Sequence, residues 1–174
     1  FDIRKDTLYC DPKESQKRKN SITVLNIILE SLLKWFAPIL SFTTEEIFTL
    51  INKDKKSIHL EEFIKFPKSF EDIELNKKWV ELKKIRDICN ISIEEKRASK
   101  EIGSSLEANL TININNEQSN FIENIDLAEL CITSEVNIII TNDKEIKVKT
   151  KKAEGEKCPI CWKISKEGCQ RHTN

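Results

Sequence analysis

The sequence predicts a mainly α-helical protein: a helical bundle, then a small α/β element, then a short cysteine-containing tail. Only three Gly and four Pro occur among 174 residues, with 39% hydrophobic and 33% charged residues, and such a composition favours helices over a sandwich or barrel. Apolar residues recur at helical spacing up to about residue 103 and at strand spacing after it. The predicted parts are therefore 1–103, 104–152 and 153–174.

The first long helix is predicted from about Ser15 to Ala37, after Pro12 and before Pro38. Two neighbouring apolar stripes run along it: the first is Ile22, Leu25, Leu29, Leu32 and Phe36, and the second is Val24, Ile28 and Trp35. Two stripes indicate a helix that is buried on most sides inside a bundle.

A short helix is predicted at 43–52, because Thr43 and Glu46 form a capping-box pattern ahead of an apolar run. Residues 53–73 are expected to form a loop. Its aromatic side chains are expected to hold an irregular crossing onto the bundle; they are Phe63, Phe66 and Phe70.

A second long helix is predicted from about Leu75 to Lys100, and glycine at 103 is expected to end it. Its apolar positions keep helical spacing: Leu75, Trp79, Leu82, Ile85, Cys89 and Ile93.

The hydrophobic period then changes from helix to strand. Strands are predicted at 108–114, 137–141 and 146–150, with a helix at 118–130 between the first two. In the last strand Ile146 and Val148 alternate with lysines, as on a sheet with one solvated face. About 50 residues bury little surface, so this element is not expected to be fully independent.

The net charge is zero, with 29 basic and 29 acidic residues, so the total does not predict a strongly basic nucleic-acid binder. Residues 147–172, however, contain eight Lys or Arg against three Glu. This excess suits a polyanion partner, and a solvated lysine-rich tail is the alternative.

The sequence also bears on compartment. No signal peptide or membrane-spanning apolar run is present, and a cytoplasmic protein is expected, with Cys10, Cys89 and Cys131 as free, often buried thiols. The absence of methionine indicates a fragment or a processed piece.

The tail contains the clearest chemical motif, Cys158-x2-Cys161-x7-Cys169-x2-His172. Three thiolates and an imidazole in paired spacing predict one tetrahedral Zn²⁺ ion. Since four protein ligands leave no open position, the ion is expected to be structural rather than catalytic. A coincidental group of thiols is the alternative.

The zinc-binding tail would present Trp162, Lys163 and Arg171. An aromatic ring can stack on an unpaired base, and cations can contact phosphates. Packing of Trp162 against the rest of the protein is the alternative. Arg97 and Lys100 are further candidates for phosphate contact, with ordinary solvated helix charge as their alternative. The early "DIRKD" is expected either to dock on another domain or to form local ion pairs.

Four segments together resemble the bacterial isoleucyl-tRNA synthetases, which are class I aminoacyl-tRNA synthetases. They are "FDIRKDTLYCDP", "WFAPILSFTTEEI", "IGSSLEANL" and "KAEGEKCPICWK", in that order along the whole chain. The chain departs from the pattern in one place: many family members end with a second Cys-x2-Cys pair, where this sequence has Cys169-x2-His172.

The resemblance implies the anticodon-binding bundle of a class I synthetase, followed by a small α/β element and a zinc-binding segment. It implies recognition of the anticodon stem-loop of isoleucine tRNA by a monomeric enzyme. The catalytic and editing domains would lie upstream, and ATP and Mg²⁺ would bind only in the catalytic domain. Neither the HIGH-type nor the KMSKS-type motif occurs here, so the resemblance implies that these residues contain no catalytic site. A stand-alone zinc-stabilised RNA-binding adaptor and a purely structural module of a larger protein remain open alternatives.

Overall fold

The computed structural model describes residues 1–54 and 56–172, which form two compact units. The two-helix unit spans Asp11–Glu71, and the sheet unit combines Phe1–Cys10 with the chain from Asp72 onward. Over the described residues, no helix has the length and apolar character needed to cross a membrane. The mainly helical class, with a small sheet region and a Cys/His cluster near the end, is confirmed.

Helix α1 (Lys5–Cys10) belongs to the sheet unit, and the two-helix unit consists of α2 (Gln16–Phe36) and α3 (Ser41–Ile51). Ser15 caps α2 by accepting a hydrogen bond from the Arg18 backbone N–H at 3.3 Å. The small core of this unit contains Leu33, Ala37, Phe48 and Ile58.

The predicted burial of α2 is wrong for most of its apolar stripes. Val24, Ile28 and Trp35 are 54%, 47% and 52% exposed, and much of the other stripe is exposed as well. Periodicity identifies the apolar faces of a helix, but one neighbouring helix can cover only one of them.

The predicted capping box at Thr43 is also wrong. Helix α3 begins earlier, at Ser41, and Leu40 precedes it without a side-chain cap. Thr43 therefore lies inside the helix, and the next residue, Thr44, donates its hydroxyl backward to the Leu40 carbonyl at 2.9 Å. A hydroxyl can bond backward along a helix as well as cap it, and this alternative prevails here.

The loop after α3 is held by polar bonds rather than by its aromatic residues. The Glu45 carboxylate accepts from the Ser57 hydroxyl and the Ile58 backbone N–H, both at 2.9 Å. Phe63 and Phe70 are more than half exposed, so the expected aromatic anchoring is not observed.

In the sheet unit, α1 (Lys5–Cys10) is short and α4 (Ile73–Ala98) is long. Asp72 caps α4 by accepting from the Leu75 N–H at 2.8 Å. The helix ends before Gly103, because Lys100 takes the left-handed conformation at φ 59°. The prediction that glycine ends this helix is therefore wrong. Its buried face is Leu82, Ile85, Cys89 and Ile93.

The sheet has the strand order β2-β1-β3, where β1 is Ala108–Ile114, β2 is Glu135–Ile140 and β3 is Lys147–Lys152. β1 pairs parallel with β2 and antiparallel with β3. Its inward positions are completely buried and meet the buried face of α4 in one core: Ala108, Leu110, Ile112 and Ile114.

The crossover from β1 to β2 contains two helices, α5 (Asn116–Ile122) and α6 (Leu127–Leu130), where one was predicted. Asn124, at φ 61°, lies between them. Asn115 and Gln118 form a reciprocal capping box at the start of α5. After the sheet, β4 (Glu156–Lys157) and β5 (Ile164–Ser165) form an antiparallel hairpin, which begins the tail.

Candidate metal centre

A tight turn between β4 and β5 brings the first two cysteines together. The Cys158 N–H donates to the Lys163 carbonyl at 2.9 Å, and the Trp162 N–H donates to the Cys158 carbonyl at 3.0 Å. Ser134 anchors the hairpin to the sheet by accepting from the Ile164 N–H at 2.7 Å. The turn therefore has a fixed position against the sheet core.

Four potential ligands converge below this turn: Cys158, Cys161, Cys169 and His172. Their ligand atoms all lie within 4.8 Å of one another. Cys158 and Cys161 are buried, and the other two are half-buried. The structure thus brings together all four residues that the spacing predicted as ligands, in a cluster that could hold a metal ion.

The spacings fit a tetrahedral ion. Around zinc, two thiolates would lie about 3.8 Å apart, and a thiolate and an imidazole nitrogen about 3.6 Å apart. The Cys161 and Cys169 sulfurs are 3.7 Å apart. The Nδ1 atom of His172 lies 3.5 Å from the Cys158 sulfur and 3.2 Å from the Cys169 sulfur. Four protein donors would close the site, which is typical of structural rather than catalytic metal centres.

The local environment shifts the pKa values of the two buried thiols in opposite directions. The backbone N–H of Cys161 lowers the pKa of Cys158 to about 6, because it stabilises the thiolate. Burial raises the pKa of Cys161 to about 11. The hydrogen bond to the Cys10 backbone raises the pKa of His172. Metal binding would therefore displace protons from this cluster.

The tail is also held against α1. The Nε2 atom of His172 lies 2.9 Å from the Cys10 carbonyl oxygen. Arg171 donates two bonds to the Asp6 carboxylate, at 2.8 and 3.0 Å. Burial disfavours the charged form of Asp6, but the Arg171 contacts outweigh it and hold the pKa of Asp6 below its usual value.

Among the residues predicted to meet RNA, Trp162 is 60% exposed and Lys163 is half-buried. Both line a largely apolar cavity of about 360 Å³ in the sheet unit, to which α1 also contributes. The Lys157 ammonium lies 6.0 Å from the centre of the Trp162 ring. Arg171 is engaged by Asp6, so its predicted phosphate contact would compete with this ion pair.

The other two predicted RNA contacts lie elsewhere in the sheet unit. Arg97 and Lys100 line a separate shallow cavity of about 470 Å³, which shares no lining residue with the first. Arg97 donates to Glu94 at 2.6 Å. The structure therefore brings Trp162 and Lys163 together and, separately, Arg97 and Lys100.

The sequence did not reveal the contribution of α1. Of the two alternatives for the "DIRKD" segment, ion pairs within the chain are observed, and docking on another domain stays a prediction. Asp2 pairs locally with Lys5 at 2.8 Å, whereas Arg4 reaches Glu129 at 2.8 Å. Asp6, by contrast, reaches the tail through Arg171.

Sequence comparisons show the family to which the chain belongs. A family model described as "Anticodon-binding domain of tRNA ligase" matches residues 1–112. The chain belongs to this family of tRNA ligase anticodon-binding domains.

Comparison with individual relatives shows which kind of tRNA ligase the chain is similar to. The chain is 69% identical to an isoleucine–tRNA ligase of Pelagibacter ubique (strain HTCC1062) over all of its residues, which cover 19% of that protein. It is 38% identical to the isoleucine–tRNA ligase of Bartonella henselae and 40% identical to that of Rhodopseudomonas palustris, over 96% and 94% of the chain and 18% of each relative. The chain thus spans about a fifth of the length of these ligases and corresponds to an anticodon-binding part of them.

Proposed function

We propose that this chain is the part of an isoleucine–tRNA ligase that recognises the anticodon stem-loop of isoleucine tRNA. The observation that carries this proposal is an exposed tryptophan, Trp162, placed directly after a buried pair of potential metal ligands in a chain of the anticodon-binding family. Reaction chemistry would belong to other parts of the ligase, with ATP and Mg²⁺ bound there.

The metal is proposed to be one structural Zn²⁺ ion held by Cys158, Cys161, Cys169 and His172. Three thiolates and one imidazole at tetrahedral spacing suit zinc, which readily accepts mixed sulfur and nitrogen ligands. The tail has little apolar core of its own, so the ion would supply most of its folding free energy. Its function would be to hold the turn that carries Trp162.

The RNA contact is proposed at this turn. Sequence-specific RNA recognition usually targets unstacked loop bases, which stack on aromatic side chains and form hydrogen bonds at their edges. The exposed ring of Trp162 offers such a platform, and Lys157 and Lys163 lie beside it to meet the phosphate backbone. Arg97 and Lys100, in the second cavity, would contact phosphates farther along the same RNA.

The exposed apolar residues of the two-helix unit favour a covering partner. Phe42, Ile39 and Leu50 are 92%, 74% and 71% exposed, which is unusual for a surface in contact with water. We propose that the catalytic and editing domains of the same polypeptide cover part of this surface. The ligase is further proposed to be monomeric and cytoplasmic, as the resemblance implies.

The test is binding of isoleucine tRNA and of the same tRNA with a different anticodon, each at two salt concentrations. Replacing Trp162 by Leu should weaken binding of the cognate tRNA about 5- to 150-fold, the equivalent of about 1–3 kcal/mol per stacked base. Trp162→Phe keeps an aromatic face in the same backbone conformation and should retain most of the affinity. Affinity should also fall steeply as salt is raised.

Anticodon recognition, a stand-alone RNA-binding adaptor and a purely structural module predict different outcomes in these binding experiments. Equal affinity for both anticodons would contradict base recognition, and no salt-dependent binding would favour the structural module. Tight binding that needs no other domain would favour the stand-alone adaptor.

Zinc content, measured by elemental analysis, should fall in Cys161→Ser and persist in Cys89→Ser, the matched control for a buried cysteine outside the cluster. Unchanged zinc in Cys161→Ser would remove the metal assignment.

A further inference from the structure

We infer that helix α1 is part of the metal centre: it presents Nδ1 of His172, rather than Nε2, to the ion, and Asp6 is a positioning residue that acts through Arg171. This inference rests on the zinc site proposed above. It assigns a role to a segment that is separated from the ligands by nearly the whole chain.

The imidazole of His172 is already oriented by its two nitrogens. Nδ1 faces the thiols of Cys158 and Cys169 at 3.5 and 3.2 Å. Nε2 faces the carbonyl oxygen of Cys10 at 2.9 Å. A carbonyl oxygen can only accept a hydrogen bond, so Nε2 must carry the hydrogen. In the neutral ring the lone pair then lies on Nδ1, which is the atom that points into the cluster.

The acceptor comes from the end of α1. The last carbonyls of a helix have no donor within the helix, so they can accept from elsewhere. Cys10 is the final residue of α1, and its carbonyl accepts from His172. Metal-bound histidines commonly donate their second ring N–H to such an acceptor, which fixes the ring and its tautomer.

The adjacent residue fixes the backbone that carries the ligand. Arg171 directly precedes His172 and forms a two-bond contact with Asp6. A guanidinium that binds a carboxylate through two bonds is restrained in plane as well as in distance. The Asp6 side chain is only 16% exposed, so water competes weakly for it.

Helix α1 also touches the other half of the cluster. The Cys10 thiol donates to the Ile160 carbonyl at 3.7 Å, between the ligands Cys158 and Cys161. One short helix therefore contacts both the first ligand pair and the second. Losing its contact with Arg171 should loosen the second pair in particular.

The first test compares zinc affinity in two matched variants of the 174-residue chain, by competition with a chromophoric chelator at neutral pH. Asp6→Asn should lower the affinity about 10- to 100-fold, as loss of an outer-shell partner does in other zinc sites. Asp2→Asn removes the same charge from the same segment, where Asp2 pairs with Lys5, and should leave the affinity unchanged. Arg171→Lys keeps the charge but loses the planar two-bond contact, so it should resemble Asp6→Asn.

The second test observes the ring directly. The chain contains only two histidines, so His59→Gln leaves His172 as the sole imidazole. By NMR, nitrogen-labelled histidine should show a hydrogen on Nε2 in the zinc-loaded chain and metal coupling at Nδ1 in the chain loaded with a spin-half cadmium isotope. A general loss of stability would weaken binding without predicting which nitrogen binds.

Two results would overturn the inference: coordination through Nε2, or equal zinc affinities in Asp6→Asn and Asp2→Asn. Either result in a chain that still binds zinc would leave the proposed function intact. A wild-type chain that takes up no zinc would overturn both the inference and the zinc site on which it rests, whereas tRNA recognition is tested separately by the binding experiments above.

Discussion

Trp162, the side chain proposed to meet RNA, has a backbone conformation that few residues other than glycine adopt, with φ 63°. The turn imposes this conformation, because the Trp162 N–H closes onto the Cys158 carbonyl. The geometry that brings Cys158 and Cys161 together therefore also points the indole outward. The ligand cluster and the exposed ring are thus two results of one turn.

Of the two glycines in the tail, Gly155 tolerates an added side chain less well. It has φ 122°, and an added Cβ would overlap the Ser165 carbonyl across the β4–β5 hairpin. Gly168 also has positive φ, at 79°, but an added Cβ would meet no atom within 4 Å. The two glycines therefore separate backbone strain from steric overlap.

We predict that Gly155→Ala opens the hairpin, whereas Gly168→Ala costs only its backbone strain, about 1 kcal/mol. Hydrogen exchange of the Cys158 and Trp162 amides should accelerate much more in Gly155→Ala, because both amides bond within the turn. Equal acceleration in the two variants would show that overlap with Ser165 is relieved by a small shift.

At this scale the sequence predicted the ligands but not their support. Paired spacing identified Cys158, Cys161, Cys169 and His172, because ligands close in sequence can be recognised from local pattern. Asp6 and Cys10 could not be recognised, since each lies more than 160 residues from its partner in the tail. Contacts of this kind depend on the folded chain and leave no local signal.

At the scale of elements, β1 is the centre of the sheet unit. It pairs with both neighbouring strands, and its inward side chains are completely buried in the core beneath α4. Its alternating pattern predicted the strand bounds correctly, at 108–114. The crossover was harder to predict, because Asn124 breaks the predicted helix into two at a point where the apolar pattern continues.

Substitution of one residue type on two strands should measure this difference in burial. Ile112, on β1, is completely buried, whereas Ile139, on β2, is 48% exposed. Ile112→Ala should lower the free energy of unfolding by about 2–5 kcal/mol, because it removes buried groups and leaves a cavity. Ile139→Ala should change it by no more than about 0.5 kcal/mol. Urea denaturation followed by circular dichroism would measure both, and similar losses would contradict the assigned core.

Helix α2 shows where element prediction reaches its limit. Its bounds, Gln16–Phe36, differ from the predicted 15–37 by one residue at each end. Its burial was predicted wrongly, because an apolar stripe does not reveal what covers it. The relatives are about five times longer than this chain, so a covering segment is available in proteins of this type.

At the scale of the whole molecule, neither hydrophobic core includes a metal ligand. One core joins α4 to the sheet, and the other lies inside the two-helix unit. The predicted division at residue 103 was based on the change of hydrophobic period, and it stays a prediction. The compact units of the structure divide at residues 11 and 72, because α4 packs on the sheet.

We predict that removing the metal with a chelator unfolds the tail and leaves both cores folded. Alkylation of Cys158, Cys161 and Cys169 should become rapid, while Cys89 and Cys131 stay protected in the sheet unit core. Mass spectrometry after brief alkylation measures each thiol. The urea midpoint of the cores should not change, because local segments can open independently of the rest. Rapid alkylation of Cys89 would show that the ion stabilises the whole sheet unit.

The order of segments along the chain makes the two ways of shortening this protein unequal. The sheet unit is formed by two separate chain segments, Phe1–Cys10 and the chain from Asp72 onward. The two-helix unit, Asp11–Glu71, is inserted between them in the sequence. Deleting everything before Asp72 would discard the carbonyl that orients His172, although every cysteine ligand would remain. Deleting Asp11–Glu71 instead, and joining Cys10 to Asp72 by a flexible linker, would keep that carbonyl.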